Sequence, residues 1–216
     1  MRLATALVGL VALCATPALA VPAQYDIDFV SAFADACVPQ RMSYEGTRQT
    51  ALAEGWGKVE RTAHPELDAM MAISEREAAA PDLKATFVYE LFAKPIGGVD
   101  HHLVVTRMSA DVGTEAEPDI WNIVGCYLYN LDATGPIDPE PVTALIGKPI
   151  SNSINEDDIV GYVWGPPCPM PRTMDTYLTY VGAGSEQVQV GGFTGLVLKF
   201  ETSEPDPGEV VPSTYC

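Results

Sequence analysis

Residues 120–131 constrain the fold more than any other segment. In an extended strand Trp121, Ile123 and Tyr127 point to one face, and Val124, Cys126 and Leu128 to the other. A strand that is apolar on both faces belongs in the middle of a sheet, with cover on both sides. Its neighbours can be read from the same alternation. Phe87, Tyr89 and Leu91 interleave with Val88, Glu90 and Phe92. The turn 94–98 then leads to a returning strand over 102–106. Residues 159–164, 176–181 and 193–201 supply three further strands, joined in part by the glycine-rich stretch 182–192, where Val188-Gln189-Val190 has room for one more short strand.

Helical periodicity gathers at the other end of the chain. Phe29, Phe33 and Cys37 recur every four residues and predict a helix over 28–42. Leu52, Trp56 and Val59 suggest a second over 47–59, weakened by Gly55 and Gly57. His64-Pro65 opens a third, with Glu66 and Asp68 at its positive end, Leu67, Met70, Met71 and Ser74 along one side, and Pro81 to stop it. Residues 138–147 carry a capping Asp138, a first-turn proline and a closing Gly147. Helices followed by hairpin-spaced strands predict an α+β fold. The expectation is a mainly antiparallel sheet of about six strands, N-terminal helices on one face, and one short helix between the third and fourth strands. No linker divides residues 21–216, which read as a single domain with an irregular, acidic, proline-rich tail from about 203.

The first twenty residues read as a signal peptide. Met1-Arg2 is basic, residues 3–13 are almost wholly apolar, and Ala18-Leu19-Ala20 places small residues where a signal peptidase reads them. Cleavage is expected after Ala20, giving an exported protein of the bacterial periplasm or the extracellular space. Lipidation at Cys14 is the competing outcome, disfavoured by the bulky Leu13 before it. Cleavage leaves Cys37, Cys126, Cys168 and Cys216, and an even number in an exported chain reads as a disulfide framework. Of the three pairings, a helix-to-strand bond between Cys37 and Cys126 together with Cys168–Cys216 is favoured. The second bond would pin the C-terminal tail to the Pro166-Pro167-Cys168-Pro169 loop.

Twelve basic residues against 29 acidic ones give a formal charge of −17, which argues against nucleic acid or an anionic membrane surface as the main partner. No apolar stretch after the leader reaches membrane-spanning length, so no integral membrane segment is expected in the mature chain. Signatures of catalysis are also missing. The sequence has no Gly-x-Ser-x-Gly, Ser-x-x-Lys or His-Glu-x-x-His, and Gly182-Ala183-Gly184-Ser185 lacks the lysine of a phosphate loop. Asp100-His101-His102 is the most metal-like cluster, with Glu90 as a conceivable third ligand. Neighbouring strand residues face opposite ways, however, which works against His101 and His102 sharing an ion. The acidic runs 115–119 and 155–158 do not follow a calcium-loop pattern and read as solvated loops. No cofactor is implied.

The remaining feature is aromatic. Tyr162, Trp164, Tyr177 and Tyr180 lie on strands around the stiff loop 164–167, where they either form a binding patch or complete the core. On this evidence the chain reads as a disulfide-stapled, acidic envelope module that binds, assists or inhibits without catalysis. Its partner would be a protein, a glycan or a small apolar ligand. The alternatives are an exported hydrolase using scattered groups such as His101, His102, Glu90 and Asp100, and a small-ligand carrier with its pocket between helices and sheet.

Overall fold

In a computed structural model of the chain, residues 22–81, 85–114, 116–117, 119–156, 158–186, 188–206 and 208–212 are described. Cys216, and with it the expected Cys168–Cys216 bond, lies outside them, as does the expected leader. One antiparallel sheet runs through eight strands in the order β1-β2-β3-β4-β8-β7-β6-β5. The strands are β1 (Gly57–Val59), β2 (Ala85–Ile96), β3 (Val99–Asp111), β4 (Ile120–Asn130), β5 (Asn152–Glu156), β6 (Ile159–Trp164), β7 (Thr176–Val181) and β8 (Gly195–Ser203). Four consecutive strands make each half of the sheet, and β4 meets β8 at the join, with Cys126 opposite Phe200 and Leu128 opposite Leu198. The fold class is α+β as expected, with eight strands rather than six.

The two extra strands come from segments whose patterns point elsewhere. Helix α2 (Tyr44–Ala53) starts at Ser43, whose hydroxyl accepts from the Gly46 amide at 3.1 Å, and stops short of the expected 59. Gly55 takes a φ of 82°, a left-handed conformation that glycine adopts without penalty and that turns the chain out of the helix. The chain then re-enters as β1, pairing Val59 with Leu91. Asn152–Glu156, expected in part as an acidic loop, pairs with β6 as an edge strand exposed throughout. Conversely, the short strand considered at 188–190 is a single helical turn, α5 (Val188–Gly191).

The helices do not gather on one face. On the first face, α1 (Gln24–Cys37) crosses the sheet with α2 and α4 (Glu140–Ile146) beside it. Phe29, Phe33 and Cys37 of α1 are fully buried against Phe92, Leu103, Val105, Cys126, Leu128 and Phe200. Phe33 meets Phe200 edge-on at 5.1 Å between ring centres. The Cys37–Cys126 disulfide fastens α1 to β4 with the Cα atoms 5.8 Å apart. It closes a loop between residues 89 apart, which in the chain-entropy model corresponds to about 4–5 kcal/mol of stabilisation. On the second face, α3 (Pro65–Ala78) seats Leu67, Met70 and Met71 on Leu91, Val104, Tyr129 and Val197. The two-sided apolar pattern is thus met by a helix layer on each side of β4 from Ile123 onward, whereas Ile120 and Trp121 at its start are exposed. Only the β1–β4 half and its join to β8 receive α3; among the described residues the second face of β5, β6 and β7 meets no more than the end of the single-turn α5, at Gly191.

Candidate functional site

Each side chain on the second face follows from strand register. Ile154, Gly161, Thr179, Val197, Tyr129 and His102 form one cross-strand row. The adjacent row runs through Tyr177, Lys199, Tyr127, Val104 and Leu91. Where α3 ends its cover, these rows floor a trough of about 520 Å³. Ile154, Ile159, Thr179, Val181 and Val197 make its base, and Phe193, from the loop between α5 and β8, makes its wall. A second depression of about 310 Å³ lies on the other side of Phe193, under α3.

That wall is held in place. The Phe193 ring meets Tyr129 edge-on at 5.5 Å. The next residue, Thr194, donates from both its amide and its hydroxyl to the Glu66 carboxylate, each at 2.8 Å. Glu66 sits in the first turn of α3, whose cap is His64: its Nδ1 accepts from the Glu66 amide at 3.2 Å. The first turn of α3 therefore also positions the loop that closes one side of the trough.

Lys199 stands where the two cavities meet and lines both. Its ammonium lies 5.2 Å from the centre of the Tyr177 ring and 5.6 Å from that of Tyr127, within cation–π range of both. Among the described residues it makes no ion pair. The nearby Glu201 is engaged elsewhere, accepting from the Tyr127 hydroxyl at 2.7 Å. Burial, and then the Glu201 charge, hold the Tyr127 phenol well above the usual tyrosine range. Tyr129 is likewise raised by burial. Both rings stay neutral near neutral pH, so among the described residues Lys199 is the one charged side chain lining the larger trough. Gly125 makes room for this arrangement, because a Cβ there would come within 2.4 Å of the Tyr127 ring.

The residues singled out in the sequence lie apart from one another. His101 is on the first face and fully buried. Its Nδ1–H donates to the Val99 carbonyl at 2.8 Å, which leaves Nε2 to accept from the Tyr25 hydroxyl at 2.8 Å. Tyr25 in turn accepts from Asn130 Nδ2 at 2.5 Å. His102 is buried on the second face, 5.7 Å from the His64 ring, and its Nδ1 has no partner among the described residues. Desolvation lowers both imidazoles below their ordinary pKa. Glu90 is bound by Arg48 and Lys58, and the Arg48 hydrogen bond holds its carboxyl below the usual range. No group of three or more metal-binding side chains forms among the described residues.

The four aromatics divide in the same way. Trp164 is fully buried on the first face, its Nε1–H donating to Thr143 Oγ1 at 3.1 Å, and Tyr162 and Tyr180 pack on the same core. Only Tyr177 faces the trough. Sequence reading passed over Lys199, Phe193 and Tyr127. The available signal was the alternation of Val197, Lys199 and Glu201 against Leu196, Leu198 and Phe200, which sets a cation on the face turned away from α1.

No family model, no curated protein and no solved structure matches this chain.

Proposed function

We propose that the chain is an exported, non-catalytic binding module whose ligand sits in the trough on the open half of the sheet. The observation that carries this reading is the uneven cover of the second face. An antiparallel sheet can leave one face to water when that face is polar. Here the uncovered strands present Ile154, at 44% exposure, and the half-buried Ile159, beside the buried Val181. Concave apolar surface with a few polar groups, in a volume of several hundred Å³, is the usual form of a small-ligand site. The signal-like first twenty residues support export, and the disulfide suits an oxidising compartment. Among the described residues no helix is long and apolar enough to cross a membrane.

The test uses an uncharged lipophilic dye, N-phenyl-1-naphthylamine, with full-length protein secreted by a bacterial host. The expected result is saturable fluorescence enhancement at one site, lost in Thr179→Phe, which fills the trough floor while leaving the first-face core untouched. Absence of binding, or equal binding by the variant, overturns the reading. The denatured mass of the same sample reports export, with a chain beginning at Val21 as the expected result.

A further inference from the structure

We propose that the ligand of the trough is an amphipathic anion, an apolar tail bearing a single anionic head, and that Lys199 holds the head. This rests on the trough being the binding site and adds the ligand's chemistry.

The argument begins with charge. In a chain of 12 basic and 29 acidic residues, a cavity lined by one charged side chain is expected to carry an acid. The trough carries Lys199. The carboxylates nearest in sequence or register border neighbouring depressions that Lys199 also lines, but none of them pairs with its ammonium. Asp175 and Glu201 line a separate hollow of about 150 Å³, which Lys199 and Tyr177 also border, and Glu77 lines the cavity under α3. Lys199 is half-buried between two tyrosine rings. The rings restrict where its ammonium can go, but ring faces alone do not satisfy its three donors. A carboxylate or sulfate at the trough end would do so, at little further cost in side-chain entropy.

The rest of the trough gives the tail its chemistry. From Lys199 the floor continues away from the centre of the sheet through Val197, Thr179 and Val181 to Ile159 and Ile154 at its edge, and among the described residues no second cation lines it. A dianion or a sugar would leave polar groups unpaired against these side chains, whereas a hydrocarbon tail covers them. A cationic amphiphile would set like charges together at Lys199, and a neutral one would leave the ammonium without a counter-charge.

Three probes with the same twelve-carbon tail separate these cases: dodecanoate, dodecyltrimethylammonium and dodecyl maltoside. Each displaces the bound dye below its micelle-forming concentration, at low salt and neutral pH. The expected order has dodecanoate at least tenfold tighter than either of the others. That preference should vanish in Lys199→Gln and survive in Lys199→Arg, which keeps the charge and stands in if the glutamine variant fails to fold. Equal or reversed preference among probes that do bind overturns the anion assignment and leaves the trough as a site for neutral tails. A dodecanoate preference that persists in Lys199→Gln overturns the role of Lys199. Failure of all three to displace a dye that does bind overturns the amphiphile assignment, whereas failure of the dye itself to bind overturns the binding reading.

Discussion

At the scale of single residues, the architecture depends on positions where no side chain fits. Gly195 opens β8 with a φ of 83°, and a Cβ there would stand 2.2 Å from the Asn130 carbonyl oxygen. Gly55 has nearly the same φ, 82°, but open space around it. The pair separates two effects that usually arrive together. Gly55→Ala meets only the left-handed backbone penalty and should cost about 1 kcal/mol. Gly195→Ala meets that penalty and a backbone clash at the junction between the two halves of the sheet, and should cost about 3 kcal/mol or more. Urea unfolding of the two variants beside the parent measures both. Equal losses would mean that β8 can shift to accommodate a methyl group.

At the scale of elements, the histidines that looked most chemical in the sequence act as fasteners. His101 ties the β2–β3 turn region to Tyr25 of α1 and, through Tyr25, to Asn130 at the end of β4. His102 packs against His64, the cap of α3, with Asp100 and Asp132 as the acids that act on it. Burial lowers the pKa of both imidazoles, so the folded state favours their neutral forms and the unfolded chain binds protons more readily. The linked stability is complete above the unfolded value, about pH 6.5, and falls as the pH drops through and below it. The urea midpoint should therefore be lower at pH 5.5 than at pH 7.5. His102→Leu should flatten that slope, since its Nδ1 forfeits no hydrogen bond among the described residues. The window stays above the range in which Glu90, held low by Arg48 and then Lys58, begins to titrate. A midpoint that does not move would show that the imidazoles gain protons in the folded state as easily as in the unfolded one.

Elements were legible in the sequence where local pattern and tertiary partner agreed. The strands 159–164 and 176–181 and the periodicity of α1 follow from local spacing, and Cys37–Cys126 is the favoured one of the pairings that four cysteines allow. Misreadings arose where a long-range partner decided. β1 is three residues whose identity as a strand comes from β2, and β5 is exposed on every residue, so it carries no burial pattern to read. Helix placement failed for a related reason. The two-sided apolar pattern of 120–131 called for cover on both faces, yet the periodicity of α3 says nothing about which face it takes. The candidate site was hidden further still. Lys199 and Tyr127 meet across β4 and β8, residues far apart in sequence, and their relation exists only in register.

For the whole molecule, the unequal cover of the sheet should also appear as unequal stability. β3 and β4 have strands on both sides and helices on both faces, and Val105, Cys126 and Leu128 are at most 1% exposed. β5 has one neighbour and no buried residue. Local opening follows the density of buried contacts, so a sheet built this way opens from its thin end. Native-state hydrogen exchange should show β5 amides exchanging first, β6 and β7 next, and β3, β4 and β8 last, near the global unfolding limit. Occupancy of the trough links this gradient to function. A ligand lying on Ile154, Thr179 and Val197 bridges β5 to β8, and should slow exchange in β5–β7 while leaving the slowest amides of β3 and β4 unchanged. Uniform slowing would place the ligand's stabilisation in global unfolding. No slowing in β5–β7 with dodecanoate bound would place the ligand somewhere other than the open half of the sheet.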